Sequence, residues 1–406
     1  MKRVSLVLAF LLTLSLACSL TSLSEGTGED GAPSTPSPQS EKRCGDGVCD
    51  GPENPQNCPA DCTAPVEEAQ PSATATGPEP PSGEPQEEIP PLYFFYVIHT
   101  HAQGDWLPYE GPPLLDLNPT TADNMLLAIT GIQEVLDRYG VKGTWEVVFG
   151  TAKGLCSYQG PNHIFRQLED AGHEVAVHAH RTEDIDDAYQ NLVNDCGIIP
   201  VTTSGFIPEV ERAGPAGAQQ AMIDAIQTSL ALGLTVGTEN LSPGGGKNPF
   251  AELCDNQLGV ANDMWEQTGN LMFPWRPDYI NGNICADNPA GQMVLVDHVS
   301  IEWKLLPGEG VPQALSDEHF ERLRLMFDAA LEYMETRRPD RVAAWGFVTH
   351  ITEYGSGGKA QHPPDPASLA ALDRFLAYVA EKAAAGRVVF ATASEIAEAA
   401  YPGVVP

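Results

Sequence analysis

A chain of 406 residues with a formal net charge of −33 is long enough for one large domain plus appendages. Acidity on that scale excludes nucleic acid and argues against binding to an anionic membrane surface. Nine cysteines divide into Cys18, a compact group (Cys44, Cys49, Cys58, Cys62) and a dispersed group (Cys156, Cys196, Cys254, Cys285). Two even groups suit disulfides in an oxidising compartment, and within each group the pairing stays open.

Lys2 and Arg3 precede an apolar run from Val4 to Ala17 that ends at Cys18. This is the layout of an export signal, too short for a membrane-spanning helix. Ser15-Leu16-Ala17-Cys18 resembles a bacterial lipoprotein box, with leucine at the second position before the cysteine rather than the third. It implies a lipid anchor on Cys18, contact with a membrane only through that anchor, and a place at the cell surface or outside the cell.

Residues 19–43 are rich in Ser, Thr, Pro and Gly and read as a disordered tether. Residues 44–62 have no hydrophobic core, so disulfides must hold them. There Asp46, Asp50, Glu53 and Asp61 offer the hard oxygens that calcium takes, against the alternative of solvated acids on a disulfide knot. The stretch resembles short cysteine-rich modules of secreted microbial proteins. Residues 63–90, rich in Pro and Glu, read as an extended linker.

From 91 to 402 strand and helix signals alternate. The pattern predicts strands at 92–98, 142–148, 174–178, 203–206, 235–238, 271–274, 293–297 and 342–348, with a last one at 387–391. It predicts helices at 120–139, 161–171, 184–195, 216–232, 316–337, 366–385 and 393–400. Such alternation is the mark of an α/β fold with a parallel sheet, open or closed as a barrel. In such barrels chemistry sits where the strands end.

Two His-x-His pairs fall at predicted strand ends, His99-Thr100-His101 and His178-Ala179-His180. Chance placement of ten histidines gives about a quarter of one such pair in a chain this long. In extended backbone, residues i and i+2 point to the same side, so each pair can converge on one ion. Other residues at strand ends are Glu146, Glu239, Asp297 and His350, with Asp105 and Arg276 in the segments that follow the first and sixth strands. Glu146 lies inside an apolar strand, where burial favours its neutral form.

The order of these features resembles the polysaccharide deacetylase (NodB-homology) family. Gly172-His-Glu-Val-Ala-Val-His178 is similar to the family's second motif and Arg276-Pro277 to its third. A Gly140-Val-Lys-Gly-Thr strand follows one helix after the first strand, and a late strand ends in His350 ahead of Val389-Phe-Ala-Thr-Ala-Ser-Glu-Ile396. The likeness covers residues 92–400 and implies an irregular (β/α) barrel of about seven to eight strands. Departures are also plain. His99-Thr100-His101 stands where the family has Thr-Phe-Asp-Asp-Gly, and His180 stands two residues before the position of the family's second histidine.

The resemblance implies a divalent transition metal (zinc first, then nickel, cobalt or iron) on His99, His101, His178 and His180. It implies Asp105 as a further ligand or the base, Arg276 orienting a carboxylate such as Asp105, and His350 as acid for the leaving group; Glu146, by its place inside an apolar strand, is a candidate base or ligand partner. The implied function is an exported metal-dependent deacetylase acting on N- or O-acyl groups of a polysaccharide or cell-envelope glycan. The alternatives are a glycoside hydrolase on a related barrel, which needs a pair of carboxyl groups at set spacing, and a non-catalytic carbohydrate-binding surface protein.

Overall fold

The apolar run at Leu92 forms β1 (Leu92–His99), and the rest of the barrel is laid out around it. Alternate residues of a strand face opposite sides. Phe95 and Val97 point into the barrel, while Phe94, Tyr96 and Ile98 pack outward under the helices. The computed structural model describes residues 89–100, 119–239, 265–300, 314–359 and 362–406. The export signal, the tether, the cysteine-rich module with Asp46, Asp50, Glu53 and Asp61, most of the linker, and His101 and Asp105 all lie outside the described residues.

After β1 come α1 (Pro119–Tyr139), β2 (Gly143–Val147), α2 (Phe149–Gln159), α3 (Ile164–Asp170), β3 (Glu174–His178), α4 (Asp184–Asp195) and β4 (Thr202–Ser204). Then follow α5 (Phe206–Ala231, interrupted at Gly214), β5 (Val236–Glu239), and a short antiparallel hairpin, β6 (Pro277–Asp278) with β7 (Asn283–Asp287). The chain ends with β8 (Val294–Asp297), β9 (Val299–Ser300), α6 (Asp317–Arg337), β10 (Ala344–His350), α7 (Pro366–Ala384), β11 (Val388–Phe390) and α8 (Ala393–Ala400).

The large sheet is parallel and runs β8-β5-β4-β3-β2-β1-β10-β9, with β11 pairing the lower part of β1. Its two end strands, β8 and β9, are consecutive in the chain and separated only by His298. One stretch of chain therefore pairs with β5 through β8 and with β10 through β9, and the sheet is nearly closed. The expected (β/α) barrel is what forms. Its lower interior is apolar, with Phe95, Val236, Val294 and Ala344 packed on Ala393, Ile396 and Ala397 of α8. Helix α8 thus plugs the end where the strands begin, and the opposite end is left for polar residues.

Four differences from expectation have local causes. Residues 271–274 are not a parallel stave. Met272 O accepts from Ala344 N (2.7 Å), and Trp275 exchanges backbone bonds with Leu295 (2.9 and 3.2 Å), so this segment fills the gap between β8 and β10. Helix α2 was not expected, because it starts directly after β2 with no polar cap. Helix α5 starts ten residues before the predicted 216, straight after Gly205. The β6–β7 hairpin is too short to leave a periodic signal. Cys156 and Cys196 are disulfide-bonded, joining α2 to the end of α4. Among the described residues no helix is long and apolar enough to cross a membrane.

Candidate functional site

Parallel pairing puts the strand ends level with one another. His99 is register partner to Glu146 on one side and to His350 on the other. His178 is paired with Ser204, and Ser204 with Thr238. Every one of these residues is the last or next to last of its strand, so their side chains meet at the C-terminal end of the barrel. Gly205 permits this closeness. Its φ is +97°, and a Cβ there would stand 1.5 Å from Ala179 O, so only glycine lets β4 pass so near the turn between His178 and His180.

Glu146, fully buried, is the centre. Its Oε2 lies 2.8 Å from His99 Nε2 and 3.6 Å from His178 Nδ1. The Ser204 hydroxyl also donates to Oε2, and the Thr238 hydroxyl donates to Oε1. The outer nitrogens of the two rings meet further imidazoles. His99 Nδ1 is 3.1 Å from His350 Nε2, and His178 Nε2 is 2.9 Å from His180 Nε2. The His99 and His178 rings lie with centroids 3.9 Å apart. Behind His350 stands buried Glu353, whose carboxylate accepts from His350 N (2.9 Å) while its own N–H donates to the His350 ring.

Burial, reinforced by neighbouring imidazoles, holds the His99 and His178 side chains far below the usual histidine pKa. Burial likewise brings His298 down to about 4. His99, His178 and His298 are thus held as neutral imidazoles.

Nitrogen donors with one carboxylate oxygen are a set that zinc and its neighbours accept. The ligating atoms of His99, Glu146 and His178 all lie within 4.8 Å of one another. Two ligands on a tetrahedral ion at about 2.0–2.1 Å lie about 3.3 Å apart, and the imidazole pairs at 2.9 and 3.1 Å are close to that spacing. The residues fit a divalent ion. A second cluster, Cys156, His163 and Cys196, does not. Its sulfurs are joined to each other, and His163 is engaged by Cys196 O and Arg166 N.

Of the residues singled out from sequence, His99, Glu146, His178, His180 and His350 come together, while His101 and Asp105 lie outside the described residues. Arg276 does not join them. Its guanidinium stacks on Tyr401 at 4.5 Å and its N–H donates to Asp287, so it sits with the C-terminal tail beyond α8. The reason is the reversed direction of 271–275, which carries Arg276 toward the start of β8. Ser204, Thr238 and His298 were not foreseen as site residues. Two are short hydroxyls with no motif, and the third lies at the seam between β8 and β9. His298 is 3% exposed, and its Nδ1 has no hydrogen-bond partner. Its charge would bear on His99, and Glu146 and His350 bear on it.

No family model and no curated protein matches the sequence. Among solved structures the chain is similar to a putative polysaccharide deacetylase from Mycobacterium smegmatis, at 18% identity over 82% of this chain and 95% of that one, TM-score 0.45. It is similar to the allantoinase Puue at 14% identity, over 77% and 91%, TM-score 0.46. A probable polysaccharide deacetylase from Pseudomonas aeruginosa PAO1 follows at 13%, over 76% and 90%, TM-score 0.44. All are distant likenesses, and the chemistry of the site is read from its own residues.

Proposed function

We propose that the protein is an exported, lipid-anchored, metal-dependent hydrolase that removes N- or O-linked acyl groups from a polysaccharide or cell-envelope glycan. The observation that carries this reading is the meeting of His99, His178, His180 and His350 around Glu146 at the strand ends of a (β/α) barrel. The choice of an acyl group on a carbohydrate rests on the motif resemblance at 172–178 and 389–396, and export and anchoring rest on residues 1–18.

His99, His178 and His180 would hold the ion. When bound, a divalent ion supplies Lewis-acid polarisation of the acyl oxygen and a more acidic water. The chain's own part is to move protons. Glu146, linked to the imidazoles and shielded from bulk water, is where a proton released in the attack is held. His350, in contact with His99, returns it to the departing amine or alcohol. The glycosidase alternative is less well supported. Its carboxylates Glu239 and Asp297 are engaged by backbone, accepting from Phe206 N and Leu271 N, both at 2.6 Å.

Metal analysis of the purified full chain, together with acetate release from acetylated oligosaccharides, tests the proposal. Bound transition metal is expected, with activity lost on chelation and at background in His178→Ala. Full activity in that variant would overturn the site.

A further inference from the structure

From β8 into β9 the side chains alternate without a break. Leu295 and Val299 lie in the outer core under the helices, and between them Asp297 accepts from Leu271 N (2.6 Å). Val294 and Val296 lie in the barrel interior. Alternation therefore turns His298 and Ser300 inward, above those valines and toward the polar end of the barrel. The same step recurs around the ring. His99 follows interior Val97, Thr238 follows Val236, and His350 follows Val348, each two residues on. His298 follows Val296 in the same way and belongs to the same polar layer. Glu146 and His350 bear on its charge, and its charge bears on His99.

Both inward groups are buried and unanswered. His298 is 3% exposed and Ser300 8%. The backbone of His298 and Val299 lies near the ring, yet His298 Nδ1 and Ser300 Oγ have no hydrogen-bond partner. Ser204 and Thr238, across the barrel, each give their hydrogen to Glu146. A buried polar group without a partner weakens a fold, so two of them on one inward face beside a site point to a guest that completes them.

A neutral imidazole and a hydroxyl each offer one hydrogen and at least one lone pair. An anion could use only the hydrogens and a cation only the lone pairs. A hydroxyl uses both. At positions i and i+2 of extended backbone the two groups stand roughly 6.5–7 Å apart, so they reach different hydroxyls of one polyol. We propose that His298 and Ser300 form the sugar-binding arm of the site, hydrogen-bonding ring hydroxyls of the glycan unit that carries the acyl group. The proposal rests on the hydrolase reading above, which assigns residues to the acyl group and none to the sugar.

Calorimetric titration of the full chain with chitosan and xylan oligosaccharides, which carry no acyl group to be removed, reads sugar binding apart from turnover. Ser300→Ala and His298→Phe are each expected to weaken that binding about 3–10-fold, the worth of one hydrogen bond. Unchanged affinity in either folded variant, or a wild type that binds none of these sugars, overturns the arm. In acetate release from the acetylated oligosaccharides the same variants are expected to raise KM more than they lower kcat, and the reverse split overturns it. Ser300→Ala is expected to melt at or above the wild-type temperature, because it removes a hydroxyl that has no partner in the fold. A markedly lower midpoint would show a structural hydroxyl and overturn the arm as well. A wild type that binds the sugars through both residues and yet releases no acetate would overturn the hydrolase reading and leave the sugar arm standing.

Discussion

Glu146 on β2 and Glu174 on β3 are carboxylates of one barrel, the first beside the strand ends and the second at a strand start. Glu174 accepts from Thr144 Oγ1 (3.1 Å), from the Thr202 hydroxyl and from Ser394 N (3.2 Å). Thr144 in turn accepts from Ala393 N (3.0 Å). Glu174 therefore fastens the start of α8, a helix end where negative charge is welcome, and burial still pushes its pKa up. Glu146 meets two of the same kind of hydroxyl, but its other near neighbours are imidazoles. A carboxylate ringed by hydroxyls and amides holds a floor in place. One set among imidazoles stands where the strand ends meet. The neighbours, not the residue type, divide structure from chemistry.

That division can be broken by experiment. Glu146→Ala should take acyl release down by about 10–100-fold, since His99 and His178 lose the carboxylate beside them. Steady-state rates on the folded protein check this, and a loss below tenfold would refute it. Glu174→Ala should leave rates per folded molecule alone while costing roughly 1–3 kcal/mol of stability, because amides and hydroxyls at the floor lose their acceptor. Urea unfolding monitored alongside activity separates the two effects, and a rate that falls with intact stability would erase the contrast.

Arg276→Ala should cost about 0.5–1 kcal/mol through the lost stack on Tyr401, with metal uptake and rate unchanged. A large drop in rate would place Arg276 in the chemistry after all. The smallest effect is in pH dependence. A carboxyl with a raised folded pKa binds its proton more tightly in the fold. The stability it contributes is then present at low pH and lost as pH rises through the folded value. Wild type should therefore lose stability relative to Glu174→Gln as pH rises through the raised pKa of Glu174, and parallel urea midpoints across pH would contradict this.

Much of the site was legible because strand ends are legible. The apolar runs at 92–98 and 174–178 stop at histidines, and parallel pairing of their neighbours does the rest. Glu146 stood out as an acid inside an apolar strand. Ser204 and Thr238 did not, because a hydroxyl on a short buried strand looks the same whether it packs or donates. Arg276 was misplaced for a reason of direction: Phe273-Pro-Trp-Arg276 has the composition of a stave but runs against its neighbours. A register reversal leaves no trace in local pattern. His298 was passed over because the strand was expected to end at 297, whereas the chain continues through it into β9.

The closure of the sheet through β1 bears on when the site comes into being. β1 pairs with β2, but also with β10 and β11, from the other end of the domain. His350 and the plug helix α8 come after all the other site residues in chain order. A topology dominated by such distant pairings folds slowly, since long loops must close before the contacts reward them. Until β10 has docked, His99 has no imidazole beside its outer nitrogen, and until α8 is in place the barrel has no floor. The cluster of strand-end side chains is thus incomplete in any chain that stops before β10, and the barrel floor in any that stops before α8.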